Sequence, residues 1–164
     1  MRAIDRALVD EVWRDMTGYA PARIESEAEI FLEAQPHAAA FSQSVTSAFD
    51  PAVQKAALGL AFLLFKVLEA SLGRPFPLLA QDRVLEAYSE TQAWLAEREG
   101  GTGPGELLAA LEPGEHPSLP AYILSVFYEG ETAAGDYDET VRASLFCLLK
   151  TLTDALDLGR VEEA

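Results

Sequence analysis

Apolar side chains recur along this chain at helical spacing from one end to the other. Two-residue alternation rich in β-branched residues is nowhere sustained long enough to suggest a sheet. Residues 3–16 place Ile4, Leu8, Val12, Trp13 and Met16 on one face, with Gly18 positioned to stop the segment. Pro21 suits a first helical turn, and Ile24, Ala28, Ile30, Phe31 and Leu32 carry a second helix over 21–35 until Pro36 interrupts it. A third runs from Pro36 towards Phe49 through Ala39, Phe41, Val45 and Ala48. Asp50-Pro51 then reads as a capping oxygen followed by proline at the first helical position. The helix that follows, 51–72, is apolar around most of its circumference from Ala56 to Phe65, the mark of a segment buried on nearly all sides.

Gly73-Arg74-Pro75-Phe76-Pro77 breaks the pattern, and a long helix over 78–99 resumes it with Leu79, Val84, Leu85, Tyr88, Trp94 and Leu95. The string Gly100-Gly101-Thr102-Gly103-Pro104-Gly105 has too few side chains to pack and reads as a flexible connector. It leads into a short helical piece at 106–111 and a break at Pro113-Gly114. Helix returns from Ser118 with Ala121, Tyr122, Leu124, Val126 and Phe127, and an acidic loop around Gly130 to Gly135 precedes a last helix over 137–158. The expectation is an all-α, compact multi-helix bundle of about seven helices, with residues 1–164 forming a single helical domain.

The two most apolar helices align residue for residue. Phe62-Leu63-Leu64-Phe65-Lys66-Val67-Leu68 stands against Phe146-Cys147-Leu148-Leu149-Lys150-Thr151-Leu152. Upstream, Pro36 with Phe41 and Val45 faces Pro117 with Tyr122 and Val126, and Ser26-Glu27 with Phe31-Leu32 faces Ser89-Glu90 with Trp94-Leu95, in the same order. Leucine-rich helices resemble one another by chance. The shared proline before an aromatic and the shared mid-helix lysine carry the alignment further. An internal duplication is the reading, with copies at about 21–72 and 78–158. Two copies are too few for a solenoid, so a pseudo-two-fold arrangement is expected.

Composition adds chiefly charge. With 49% apolar and 24% charged residues the chain resembles ordinary folded proteins, but its formal charge of −15 does not. Such acidity repels nucleic-acid phosphates and anionic lipid, so neither nucleic acid nor membrane is an expected partner. The charge is also uneven. From Glu99 to Val141 nine acids (Glu99, Glu106, Glu112, Glu115, Glu129, Glu131, Asp136, Asp138, Glu139) occur without a Lys or Arg, and Glu25, Glu27, Glu29 and Glu33 form a second patch with no base within it. Met1 is followed at once by charged residues instead of an apolar signal region. The apolar run Ala56 to Phe65 is too short to cross a bilayer, and one cysteine permits no internal disulfide. A cytoplasmic protein is expected.

Chemical motifs are scarce. Lys66 with Glu69 and Lys150 with Asp154 are candidate buried polar pairs at equivalent positions. They can be read as a symmetric anion or cofactor site, or as intrahelical ion pairs with stems along apolar surface; the second is favoured. His37 and His116 lack partners at metal-ligand spacing, so no metal is expected. The acidic loop lacks the order of a helix-loop-helix calcium site. No Gly-Lys-Ser/Thr follows the glycine string, no Gly-x-Ser-x-Gly elbow occurs, and Cys147 lies in an apolar string away from any base. No cofactor is implied, and a catalytic residue is not identifiable.

The functional expectation is a non-enzymatic adaptor that binds a basic partner protein through an acidic surface. The candidate surface is Glu112, Glu115, Tyr128, Glu129, Glu131, Asp136, Tyr137, Asp138 and Glu139. Tyr122, Phe127, Tyr128 and Tyr137 flank the acid-only stretch and resemble a protein-binding surface, but core positions for most of them, as the spacing of Tyr122 with Val126 suggests, are favoured. The alternative is a small-ligand carrier or enzyme with an apolar pocket between the two central helices. The third possibility is that acidity serves solubility alone.

Overall fold

Seven helices pack together in the computed structural model, which describes residues 4–96, 119–130 and 139–156. There is no strand among the described residues. The helices are α1 (Arg6–Thr17), α2 (Pro21–Ala34), α3 (Pro36–Val45), α4 (Pro51–Leu72), α5 (Gln81–Ala96), α6 (Leu119–Gly130) and α7 (Glu139–Leu156). The connector at 100–105 and the helical piece expected at 106–111 lie outside the described residues.

Local chemistry explains most of the boundaries. Asp5 caps α1, its Oδ1 accepting the Leu8 N–H at 2.9 Å. Gly18 ends that helix as expected, but at φ −87° it is right-handed. The chain closes there with tight bonds, the Gly18 N–H donating to the Asp15 carbonyl and the Tyr19 N–H to Met16. Left-handed geometry appears at Gly73, whose φ of 74° terminates α4 while its N–H donates to the Glu69 carbonyl at 2.8 Å. The third helix stops at Val45, short of Phe49. Thr46 turns its hydroxyl back onto the Ser42 carbonyl at 2.7 Å and Ser47 onto Ser44 at 3.0 Å, and such local bonds compete with helix propagation. Asp50 does begin α4, although its side chain makes no capping bond. Its carbonyl accepts the Val53 and Gln54 N–H groups, and Pro51 presets the first turn. The fifth helix starts at Gln81 instead of 78, and Leu79 in the segment before it donates its backbone N–H to a side chain described below.

One contiguous apolar core joins all seven helices. At its centre α4 and α7 pack on each other, as their all-round apolar sequences require. Leu60, Leu63, Leu64 and Leu68 of α4 and Leu145, Phe146, Leu148, Leu149 and Leu152 of α7 are completely or almost completely buried. Removing each such side chain from water contributes roughly 1.5–3 kcal/mol. Around this pair, α5 lies along α7, α1 sits against α4 and α6, and α3 fills the angle between α4, α5 and α7. Tyr122 is partly buried against the core. Phe127 is buried within it, 6.3 Å from Trp13 in an edge-on contact, so both belong to packing, as their helical spacing suggested.

The second helix stands apart from this scheme. It packs mainly on α3, its neighbour in sequence, and Phe31 is its single buried residue. The Phe31 ring lies 5.7 Å from Phe62 and 5.6 Å from Phe65, and Phe65 in turn lies 5.8 Å from Phe76 in the segment after α4. Elsewhere on α2, Glu27 makes a polar contact with Lys66 of α4.

Candidate functional site

The described polar groups gather where α1, α2 and α4 meet, around Lys66. Position 66 points the lysine towards α2, and the shell of phenylalanines keeps water from one side of its stem. Its ammonium donates to Glu27 Oε2 at 2.8 Å and approaches Glu69 at 3.8 Å. Glu27 is therefore the closer partner and comes from another helix; the intrahelical pair with Glu69 is the longer contact. Lys66 also stands 5.5 Å above the Phe62 ring. The chain of contacts continues outward. Arg23 lies 3.7 Å from Glu27 and stacks 3.8 Å over the Tyr19 ring, whose hydroxyl donates to Asp15 at 3.3 Å.

These contacts move the protonation equilibria. The hydrogen bond from Lys66 holds the Glu27 carboxyl below its ordinary value against the opposing effect of burial, with the charges of Lys66 and Arg23 assisting. Burial works to discharge Lys66, but the Glu27 bond and the nearby charge of Glu69 outweigh it and raise the ammonium above its ordinary value. Burial raises the Tyr19 phenol, and the positive charges of Lys66 and Arg23 only partly offset that. Lys66 thus remains a cation at neutral pH. It stabilises α2 against α4 and is unsuited to proton abstraction there.

Two clefts open on either side of Lys66. One, of about 350 Å³, is an open polar recess lined by Asp15, Tyr19, Lys66, Glu69 and Arg74. The other, of about 200 Å³, lies beneath α2 and is walled by Ile30, Phe31, Phe62, Phe65 and Phe76. The first lies between α1 and the C-terminal end of α4 and the second beneath α2, and neither is at the contact between α4 and α7 where the sequence suggested an apolar pocket.

The equivalent lysine behaves differently. Lys150 bonds Asp154 within α7 at 2.6 Å, as the spacing predicted, and lies 5.2 Å over the Trp94 ring, with only 16% of its side chain exposed. The two lysines do not share a site, because each is satisfied by its own carboxylates. Cys147, three residues before Lys150 on α7, is half-buried, and burial pushes its thiol up to about 11, opposite to what a nucleophile needs. Among the described residues no three His, Cys, Asp or Glu side chains are placed to hold a metal ion.

Of the predicted acidic surface, Glu112, Glu115, Glu131, Asp136, Tyr137 and Asp138 lie outside the described residues, and for Tyr128, Glu129 and Glu139 the description covers the helix backbone alone. The second acidic patch is described. Glu25, Glu29 and Glu33 are exposed on α2 and, among the described residues, have no cation within ion-pair distance, whereas Glu27 turns inward to Lys66.

A group that sequence reasoning missed is Gln35, at the joint between α2 and α3. It is 3% exposed. Its Nε2 donates to the carbonyls of Pro77 at 2.9 Å and Phe76 at 3.3 Å, and its Oε1 accepts the Leu79 N–H at 2.9 Å. One amide thus satisfies three backbone groups of the extended segment between α4 and α5. An isolated Gln before Pro36 gives no sequence signal for this, since its partners lie more than forty positions away.

The fold and its polar groups define an all-helical bundle in which no helix among the described residues is long and apolar enough to cross a membrane. Comparison with protein-family models, with curated proteins and with solved structures finds no match for this chain.

Proposed function

We propose that this protein is a non-enzymatic adaptor that uses an acidic surface to bind a basic partner protein. The observation that carries this reading is the placement of charge. A formal charge of −15 is concentrated in segments without counter-ions, namely residues 99–141 and the exposed acids of α2. Lys66 and Cys147, by contrast, have their reactivity suppressed by their surroundings. Capture of a basic partner should weaken steeply with salt. It should also be lost when the acids that carry it, either Glu129, Glu131, Asp136 and Asp138 or Glu25, Glu29 and Glu33 of α2, are changed to Lys. A partner held equally well at high salt would refute the proposal, and charge reversal that lowers solubility and nothing else would assign the acidity to solubility alone.

A second reading, a small-ligand carrier, is favoured by the phenylalanine-walled cleft beneath α2. Its volume of about 200 Å³ is small for a ligand pocket, which ordinarily spans roughly 300–1,000 Å³, so this reading ranks below the first. Native mass spectrometry of the purified protein tests it, since a carrier should show a population heavier than the bare chain.

We also propose that residues 21–72 and 78–158 descend from one unit arranged about a pseudo-two-fold axis. Equivalent ring pairs support it, Phe31 with Phe62 at 5.7 Å and Trp94 with Phe146 at 6.1 Å. A cytoplasmic setting completes the proposal; the single unpaired cysteine is compatible with a reducing compartment.

A further inference from the structure

We infer that the exposed flank of α2 bearing Ile24 and Leu32 is the docking site for the partner, and that the element docking there is a basic amphipathic helix; this rests on the adaptor reading above. Ile24, Ala28 and Leu32 stand four residues apart and therefore form one line along the helix. The line runs along the flank next to Phe31, which is turned into the core: Ile24 is 51% and Leu32 41% exposed, with Ala28 partly buried between them. Glu25, Glu29 and Glu33 form the adjacent line one position on, all exposed and without ion-pair partners among the described residues. An apolar strip with a negative edge is the complement of a helix whose own apolar strip is edged by Lys or Arg.

The helix is also built to present such a face. In the aligned copy, α5 lies along α7 in extensive contact, whereas α2 rests mainly on α3 and is secured to α4 by Phe31 and the Glu27–Lys66 pair, leaving the flank with Ile24 and Leu32 exposed. Gln35 fixes its C-terminal end. The strip from Ile24 to Leu32 is about 12 Å long, enough for two turns of a partner helix.

Charge selects the occupant. A second copy of this chain would bring a −15 molecule against another, with the Glu25, Glu29 and Glu33 line facing like charge in a symmetric pairing. The same repulsion disfavours anionic lipid and nucleic acid. The chain has 12 Lys and Arg against 27 acids, so it is poorly supplied to provide the basic helix itself.

The probe is a synthetic peptide of about 18 residues with Leu at positions four apart and Lys on both flanks, compared with a scrambled peptide of the same composition. Fluorescence anisotropy with the full chain should show the patterned peptide binding about tenfold more tightly than the scrambled one, with an affinity that falls as salt rises. Amide shift changes should map to α2. The double variant Ile24→Ser/Leu32→Ser should reduce the patterned peptide to the level of the scrambled one. Glu25→Lys/Glu29→Lys/Glu33→Lys should abolish binding of both while circular dichroism remains unchanged. If the two peptides bind equally, and binding is lost on reversing Glu129, Glu131, Asp136 and Asp138 but not the α2 acids, the inference falls and the basic-partner reading stands. If neither peptide binds at low salt, both fall. Self-association abolished by Ile24→Ser/Leu32→Ser would make the occupant a second copy and overturn the inference.

Discussion

Replacing Gln35 by Leu keeps nearly the same volume but deletes every hydrogen bond the amide makes. In the folded protein this strands the Leu79 N–H and leaves the Phe76 carbonyl without its donor, both belonging to residues less than a tenth exposed; the Pro77 carbonyl, nearer the surface, can recruit water. A buried unsatisfied backbone group costs about 1–3 kcal/mol, so a total loss of about 2–4 kcal/mol is expected. For a chain of this length, 1 kcal/mol corresponds to roughly 2–4 °C in melting temperature, so Gln35→Leu should melt on the order of 10 °C below the parent. Urea unfolding followed by circular dichroism measures the difference, with an unchanged slope confirming that the denatured state is not altered.

The companion variant Gln35→Glu sharpens the test. Its carboxylate can still accept the Leu79 N–H, but when ionised it faces two carbonyl oxygens with no proton to donate. Folding should therefore raise its pKa, and an acid with a raised folded pKa destabilises above its unfolded value of about 4.3. The Gln35→Glu penalty should consequently be large at pH 7 and shrink on acidification, when the protonated acid can donate to Pro77. Stability of Gln35→Leu within about 0.5 kcal/mol of the parent, or a Gln35→Glu penalty independent of pH, would refute the account of Gln35 as the clamp on this segment.

Three further outcomes are expected. Glu27→Gln should cost about 1–2 kcal/mol at pH 7, because it weakens a charge-assisted bond between groups with only about a fifth to a quarter of their side chains exposed. Glu27, with its lowered pKa, contributes above the ordinary 4.5 and loses that share as pH falls through its folded value; Lys66, with its raised pKa, contributes fully below 10.5 and loses its share as pH rises through its folded value. The difference between parent and variant should thus be flat between those limits and shrink below pH 4.5, and a constant difference down to pH 3 in urea titrations would contradict this. Cys147 should react with a disulfide reagent at pH 8 far more slowly than in the urea-unfolded chain, since a thiol held at about 11 is roughly one part in a thousand ionised there; reaction at the rate of the unfolded chain would contradict the raised thiol. Gly73→Ala should lower stability by about 1–2 kcal/mol from left-handed backbone strain alone, as no atom lies within 4 Å of the added methyl, and an unchanged denaturation midpoint would exclude that strain.

The sequence by itself determined the helical class, the helices and their central pair. Each follows from information within one segment: apolar spacing gives the periodicity, Pro21, Pro36 and Pro51 set the starts, and the all-round apolar stretch of α4 requires burial on every side. Lys150 with Asp154 was legible for the same reason, since four residues along one helix fix the distance. The tertiary structure alone decided which partner Lys66 takes. The Glu27 carboxylate arrives from α2, and only the packing of Phe31 on Phe62 and Phe65 brings it within 2.8 Å. It also decided that Gln35 is a clamp and that α2 leaves Ile24 and Leu32 in water, although their spacing resembles that of core residues. Helical periodicity states which residues share a face. How much of that face another helix covers depends on where the chain returns in space, and that is a property of the whole fold.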